Sequence, residues 1–139
     1  MGDYGNIVYI YSNTGTQFTL THTLNDFNST VYAVDITADG EWLLVVERTG
    51  INRIYNFNFP TNEFQLFQVI DYDYSYAGAL TDDHLWLVLT NTNGYVYIYT
   101  FNGSQFVHKE TLNNQFSNYV TPHLSLTNDH LYMAFVIYK

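Results

Sequence analysis

The chain has 139 residues and a formal net charge of −9, with four Lys and Arg in total and no Cys. Proteins bind nucleic acids and anionic membranes through clustered cations, so this composition argues against both partners. Without Cys there are no disulfides, zinc–thiolate sites or thiol catalysis. No apolar run approaches the roughly 20 residues of a membrane-spanning helix, and the first residues do not resemble a signal peptide. We therefore expect a soluble protein and favour the cytoplasm.

Short segments in which apolar and polar residues alternate are typical of β-strands. Residues 31–37 alternate in this way, Asp39-Gly40 provides a hairpin turn, and residues 42–47 form the near-continuous apolar run of a strand buried on both faces. Two further alternating segments complete the unit, at 53–58 and 64–70. One unit therefore predicts four antiparallel strands, which we call a, b, c and d in chain order.

The same strand pattern continues along the whole chain. In chain order it predicts strands c and d at 6–24, a four-stranded unit at 29–70, a second at 74–112, and strands a and b at 119–138. Aromatic residues, mostly Tyr and Phe, make up 19% of the chain, which suits pleated surfaces. We therefore predict an all-β chain of twelve strands.

The units are copies of one pattern. A Thr closes an apolar run in each, at positions 44 and 46 residues apart: Thr37, Thr81 and Thr127. The same offsets align an aromatic residue on strand b: Trp42, Trp86 and Tyr132. We interpret these rings as packing between units rather than as ligand-stacking residues. A second block aligns three copies of strand c at offsets of 46 and 42: Val8-Tyr9-Ile10-Tyr11, Ile54-Tyr55-Asn56-Phe57 and Val96-Tyr97-Ile98-Tyr99.

A repeat period in the low to middle forties, with four strands per repeat, is typical of β-propeller blades. The run from Val31 to Ile70, with Thr37-Ala38-Asp39-Gly40 at its first turn and Gly50 at its second, resembles a blade of the WD-repeat-like β-propeller superfamily. The Gly-His and Trp-Asp dipeptides of the strict WD repeat are missing from every unit. The resemblance therefore implies the fold and a scaffold role, and it transfers no binding residues.

The two strands at each end of the chain add up to one further blade, which gives three blades in total. Propellers commonly have four to eight blades, and the end segments leave apolar strand edges that invite pairing. We expect a homodimer in which strands a and b of one chain complete strands c and d of the other, giving a six-bladed ring. The alternative is that these 139 residues are a fragment of a longer propeller.

The a–b turns contain the most suggestive polar groups. Asp82-Asp83-His84 and Asn128-Asp129-His130 recur there, at the position of Asp39-Gly40 in the first unit. A carboxylate beside an imidazole can bind a metal or act as acid and base. Because the repeats lie a blade-width apart, we expect their Asp and His side chains not to converge. The preferred interpretation is a tight turn in which the Asp side chain accepts local hydrogen bonds.

The other candidate groups are weaker. Asp71 and Asp73 could hold a hard cation, but a solvated loop is the preferred interpretation. His22 and His108, on strand d, are predicted to be surface residues, and His123, on strand a, is predicted to line the central channel rather than to catalyse. The sequence has no nucleophile or phosphate-loop motif. We therefore expect a protein that is not an enzyme and that uses no cofactor or metal.

The d–a and b–c loops should share one face of the propeller. They are rich in Asn, Asp, Ser, Tyr and Phe, a mixture that suits recognition by adaptable polar groups and aromatic anchors. Our first hypothesis is a non-enzymatic module that binds a protein or peptide. The alternative is a carbohydrate-binding lectin built as an oligomeric propeller. The residues expected nearest the channel mouth, and hence the candidate binding residues, are Tyr74, Tyr76, Tyr119 and His123.

Overall fold

The computed structural model describes residues 6–72, 74–113, 124–127 and 132–135. These residues form antiparallel β-strands joined by turns, and they include no helix. None of them therefore belongs to a helix long and apolar enough to cross a membrane. The strands are β1 (Val8–Asn13), β2 (Phe18–Leu24), β3 (Val31–Ile36), β4 (Trp42–Glu47), β5 (Ile51–Asn58), β6 (Glu63–Asp71), β7 (Ser75–Leu80), β8 (Trp86–Asn91), β9 (Val96–Phe101), β10 (Phe106–Leu112), β11 (Leu124–Leu126) and β12 (Met133–Phe135).

Consecutive hairpins build the sheets. Strands β3 to β6 form one four-stranded sheet in chain order, and β7 to β10 form a second. The hairpin β1–β2 precedes them, with its strands in positions c and d, and the hairpin β11–β12 follows, in positions a and b. The predicted all-β fold with four-stranded antiparallel units is confirmed.

The core lies between neighbouring sheets. All six residues of β4 are buried, because this strand is interior in its sheet and both of its faces meet another sheet. Leu43 and Val45 point towards β1–β2, where they pack with Val8. The alternate residues of β4 point the other way and join the cluster between the two four-stranded sheets: Trp42, Leu44 and Val46.

The structure corrects the predicted alignment of strand c. Leu43 pairs with Tyr55 and Leu87 pairs with Tyr99, so the equivalent of Ile54-Tyr55 is Ile98-Tyr99, and not Val96-Tyr97. A register irregularity falls between the Ile and the Tyr in all three copies, including Ile10-Tyr11. The offset in strand c is therefore 44 throughout. The extra two residues of the first unit lie in its c–d turn, between Phe57 and Phe64, and they had displaced the alignment.

The predicted packing role of the strand-b rings holds for Trp42, which is 8% exposed in the core. Trp86 is half-buried, and the Lys109 ammonium lies 4.2 Å from the centroid of its ring. Tyr132 is 71% exposed, so among the described residues of one chain it is not packed between sheets. Trp42 is covered by two rings from strands c and d of the next sheet, those of Phe101 and Phe106. No such strands follow Tyr132 among the described residues.

Candidate binding face

Two tyrosines stack where the innermost strands of the two complete sheets begin. Tyr32 on β3 and Tyr76 on β7 are equivalent positions of the repeat, and their ring centroids are 4.7 Å apart. Tyr32 is 38% exposed and Tyr76 is half-buried, so one ring supports the other. Their contact shows that strand a of one blade lies beside strand a of the next, as the inner strands of a propeller do.

A second group of tyrosines lies on the adjoining loops and at the start of β9. Tyr72 and Tyr97 have ring centroids 4.1 Å apart, and Tyr95 stacks on Tyr97 at 6.2 Å. Tyr74 is 57% exposed, and its carbonyl accepts a hydrogen bond from the amide of Thr92 at 3.1 Å, which ties a d–a loop to a b–c loop. We call these six residues the tyrosine face: Tyr32, Tyr72, Tyr74, Tyr76, Tyr95 and Tyr97.

A buried ion pair fixes the loop of residues 25–30. Glu47 is fully buried at the end of β4, and its Oε1 lies 2.7 Å from Nε of Arg53. Its other oxygen accepts hydrogen bonds from the amides of Asn28 and Ser29, both at 3.0 Å. A buried carboxylate is stable only when paired and hydrogen-bonded in this way. The loop is therefore held by groups that leave few alternative conformations.

Buried amides do the same for the other loops. The side-chain nitrogen of Asn52 donates to Oγ of Ser75 at 2.8 Å and also contacts the carbonyls of Gly50 and Ile70. In the second sheet, Oδ1 of Asn91 accepts from the amides of Asn93 and Tyr95, and its Nδ2 donates to the hydroxyl of Tyr97 at 3.1 Å. The loops that display the tyrosines are thus anchored in the sheets below them.

Of the four residues predicted at the channel mouth, the structure places two. Tyr74 lies in the loop before β7, where its backbone has a φ of 39°, and Tyr76 lies on β7. Tyr119 and His123 lie outside the described residues. Sequence reasoning missed Tyr32, although its offset of 44 from Tyr76 marks it as the equivalent position.

The a–b turns form the opposite face, and there the structure corrects a prediction. Nε2 of His84 lies 2.7 Å from Oδ2 of Asp39 in the preceding sheet, so an Asp and a His of successive repeats do converge. The amide of Ala38 also donates to Oδ1 of Asp82 at 2.7 Å. The turns of adjacent blades are therefore in direct contact, rather than a blade-width apart.

The predicted capping role of the turn carboxylates agrees with the structure. Oδ1 of Asp39 accepts from the hydroxyl of Thr37 at 2.6 Å and from the amide of Glu41 at 2.9 Å, and Asp83 repeats the arrangement with Thr81 and Leu85. Partial burial alone would raise the pKa of Asp39, but these two hydrogen bonds and the His84 imidazole together lower it. Oxygen and nitrogen atoms of Asp39, Glu41 and His84 lie within 4.8 Å of one another, and the turn and the contact between blades account for those of Asp39 and His84.

The remaining polar candidates have different outcomes. His22 is not a free surface residue as predicted: its ring packs edge-on against Phe57 and Phe64, and its Nε2 lies 2.9 Å from the carbonyl oxygen of Asn62. His108 is exposed on β10, as predicted. Asp73, half of the proposed cation pair with Asp71, lies outside the described residues.

Two carboxylates stand at the inner edges of the sheets: Asp82, which the sequence pointed to, and Asp35, which sequence reasoning missed. Oδ2 of Asp35 on β3 accepts from the amide of Leu80 on β7 at 2.8 Å. Burial raises the pKa of Asp35, and the nearby charge of Asp82 adds to this, while hydrogen bonds from the amides of Leu80 and Ile36 oppose it. Both side chains line a cavity of about 180 Å³ that also touches β11. They help to fasten one inner strand to the next.

Comparison with known proteins supports the fold and nothing finer. No protein-family model and no curated protein sequence matches the chain. Three similar solved structures are a protein from Lactobacillus plantarum (TM-score 0.71, 13% identity), Sqt1 from Saccharomyces cerevisiae (0.68, 11%) and a proposed 6-phosphogluconolactonase from Bacteroides uniformis (0.73, 10%). They are propeller-type proteins, and at these identities the similarity establishes a propeller-type fold alone.

The matches cover most of this chain but less than half of the other chains. The alignments include 94%, 89% and 94% of the present residues, and 42%, 34% and 41% of the three structures in the same order. The chain therefore spans well under half the length of the propeller-type proteins it resembles.

Proposed function

We propose that this chain is a non-enzymatic, WD-repeat-like binding scaffold that presents the tyrosine face to a protein or peptide. The observation that carries the proposal is the gathering of six tyrosines on loops and the adjoining strand ends, beside buried amides that hold the loops in place. Tyrosine offers a large amphipathic contact area with few rotatable bonds. Loops that are already ordered lose little further entropy on binding. Such a surface suits recognition better than chemistry.

The partner segment that fits this face best is basic. The chain has 13 Asp and Glu against four Lys and Arg, so its field attracts cations and accelerates their encounter. Arg and Lys side chains also bind favourably over tyrosine rings. We therefore expect a Lys- or Arg-containing peptide segment whose binding weakens as salt is added.

The scaffold in this proposal is half of a six-bladed ring. Two complete blades and two half-blades make three, and the similar structures are more than twice as long. A propeller places its binding loops around a common axis, so a complete ring would surround the axis with further copies of the same loops.

An arrayed library of random peptides, graded in Lys and Arg content, tests the proposal. We expect retention of basic, aromatic-containing peptides, and a loss of at least tenfold in affinity for the Tyr32→Ala and Tyr74→Ala variants. Leu85→Ala is the matched control, since Leu85 is 46% exposed in an a–b turn on the opposite face and its repeat equivalent is Glu41. Equal binding by the wild type and both tyrosine variants would contradict the assignment.

Carbohydrate binding is the second candidate, and one observation favours it. Tyr32 and Tyr76 are aromatic rings at equivalent positions of successive blades, an arrangement on which sugar rings could stack. A glycan array probed with the same variants separates the two functions. Glycan binding that Tyr32→Ala abolishes, without retention of any peptide, would favour the lectin.

The proposed 6-phosphogluconolactonase among the similar structures raises an enzymatic alternative. A phosphosugar substrate needs cationic contacts, but Arg53 is engaged by buried Glu47 and Lys109 lies over Trp86 on an outer strand, which leaves Arg48 as the remaining exposed cation among the described residues. A direct assay with 6-phosphogluconolactone should show no hydrolysis above that of buffer. Turnover that is sensitive to changes on the tyrosine face would overturn the non-enzymatic proposal.

A further inference from the structure

The contact between the two four-stranded sheets shows what a complete blade interface contains. Tyr99 and Phe106, from strands c and d of the second sheet, are 4% and 3% exposed. They complete a cluster with five residues on strands a, b and c: Trp42, Leu44, Ile54, Leu80 and Leu87. Since the blades are repeats, the same positions should meet at every interface of a closed ring.

Among the described residues, no Tyr and Phe stand at these two positions in the groove between β7–β10 and β11–β12. This cavity of about 230 Å³ is lined by the repeat equivalents of the five residues above: Trp86, Val88, Ile98, Leu126 and Met133. The third copies of Tyr99 and Phe106 are Tyr11 and Phe18 on β1–β2, and they are 54% and 72% exposed. Tyr11 and Phe18 are therefore exposed on β1–β2, whereas the groove that side chains at their positions would fill lies beside β11–β12.

A second cavity matches the exposed Tyr132 in the same way. We call the contact between the two four-stranded sheets the closed interface. Four rings surround Trp42 there: Phe67, His84, Phe101 and Phe106. In a closed ring, the strand-b ring of the third blade, Tyr132, would be surrounded by the repeat equivalents of these four residues: Thr21, Gly40, Phe57 and Phe64. All four line the cavity of about 490 Å³ between β1–β2 and the first sheet. The strand-b ring that would fill this cavity is Tyr132, which is 71% exposed.

Side-chain sizes are also complementary across the two open ends. In the closed interface Leu44 faces Gly78, where an added Cβ would lie only 2.7 Å from Cδ2 of Leu44. The equivalent of Leu44 on β12 is the much smaller Ala134, and the equivalent of Gly78 on β3 is the larger Val34, which is 52% exposed. Strand b supplies the large residue and strand a the small one in the pair Leu44 and Gly78. In the pair Ala134 and Val34, strand b supplies the small residue and strand a the large one.

We propose that a second copy of this chain docks at both places at once, an inference that rests on the propeller-type scaffold proposed above. The β1–β2 hairpin of each copy extends the β11–β12 hairpin of the other into a four-stranded blade. Tyr11 and Phe18 of one copy enter the groove beside Trp86 of the other, and Tyr132 enters the cavity between β1–β2 and the first sheet. The arrangement is two-fold symmetric and closes a ring of six blades.

Light scattering of the 139-residue chain at micromolar concentration measures the assembly directly. We expect a mass twice the 16.2 kDa of one chain. Phe18→Glu and Tyr132→Glu should each give single chains, since the first places a charge in an apolar groove and the second replaces the filling ring by a carboxylate in a cavity that Asp39 also lines. Leu66→Glu is the matched control: Leu66 is 48% exposed on the outer strand of a complete blade, where the second blade has His108, and this variant should keep the doubled mass.

Cross-linking supports the test if a charged variant fails to fold. Because the chain has no Cys, a Val34→Cys, Ala134→Cys double variant carries thiols only at the proposed contact. A short bifunctional maleimide should give a covalent pair of chains on a denaturing gel. The Leu66→Cys, Ala134→Cys control should give none.

A folded single chain at micromolar concentration would overturn the proposal and leave further blades of a longer polypeptide as the occupant. A doubled mass that both Glu variants preserve, or a cross-link within one chain, would also overturn it. None of these measurements depends on peptide binding. A confirmed pair that retains no arrayed peptide would contradict the proposed function alone.

Discussion

Trp42 and Trp86 occupy the same position of the repeat in very different surroundings. Trp42 lies in the interface between two complete sheets, with four aromatic rings within 6 Å of its own. Trp86 faces the groove beside the β11–β12 hairpin, where a Lys109 ammonium lies over one side of the ring. Three of the four rings around Trp42 come from the next sheet: His84, Phe101 and Phe106. The fourth, Phe67, belongs to the same sheet as Trp42, and its equivalent beside Trp86 is Lys109.

The difference shows that each blade completes its neighbour. An isolated four-stranded sheet has two apolar faces, and half of its hydrophobic residues are buried only when another blade packs against them. Strand formation is therefore a local property of this repeat, whereas burial depends on the next blade. Among the described residues, β1–β2 and β11–β12 are the places where that second requirement is not met.

The largest expected effect comes from emptying the closed interface. Trp42→Ala should lower the free energy of unfolding by about 3–5 kcal/mol, because it leaves a cavity among rings that cannot collapse. Urea unfolding followed by circular dichroism measures this, and the loss should be the same at every protein concentration. Trp86→Ala should instead reduce the dependence of the unfolding midpoint on concentration. A loss below about 1 kcal/mol for Trp42→Ala would contradict the closed-interface description.

At a second pair of equivalent positions, the first blade has a charged pair of side chains and the second blade has a neutral pair. Glu47 and Arg53 of the first blade correspond to Asn91 and Tyr97 of the second, which are joined by a neutral hydrogen bond. Glu47→Ala should cost about 3–5 kcal/mol by leaving a charge unpaired. The Glu47→Asn, Arg53→Tyr double variant, which copies the second blade, should recover most of that stability in urea unfolding. If it unfolds as readily as Glu47→Ala, the two pairs are not equivalent.

Much of the fold could be predicted because strand alternation and the repeated Thr and Asp of the a–b turns are local signals. The alignment of strand c failed by two residues in the first unit, since Ile-Tyr and Val-Tyr pairs look alike and only hydrogen-bond pairing tells them apart. The contact of Asp39 with His84 could not be predicted, because it depends on how close adjacent turns come. Tyr32 could have been predicted, because its offset of 44 from Tyr76 is the offset of the repeat; only the contact between the two rings is tertiary.

A smaller effect should follow from exchanging side-chain size at the closed interface. Gly78→Val copies the open end of β3, but its Cβ would lie 2.7–3.0 Å from methyl groups of Leu44, Leu89 and Val46. Overpacking of this kind costs about 1–3 kcal/mol. Adding Leu44→Ala, which copies Ala134, should recover part of the loss in the same unfolding assay. If Gly78→Val alone is neutral, the sizes at the two ends are not matched as described.

The smallest effect concerns the inner edge, where Asp35 accepts the amide of Leu80 and its equivalent in the next blade, Ala79, has no side-chain acceptor. Burial raises the pKa of Asp35 above the ordinary value of 3.8, so the folded state favours the protonated form. Its contribution to stability is therefore complete below that ordinary value and declines as the pH rises through the folded pKa.

Asp35→Asn keeps an oxygen acceptor for Leu80 and cannot ionise. Relative to the wild type it should gain stability as the pH rises from about 4 through the folded pKa, by less than about 1 kcal/mol for a group that is partly exposed. Subtracting the two urea unfolding curves at each pH isolates this group from the other carboxylates. A difference that stays constant with pH, or that favours the wild type increasingly as the pH rises, would contradict the raised pKa of Asp35.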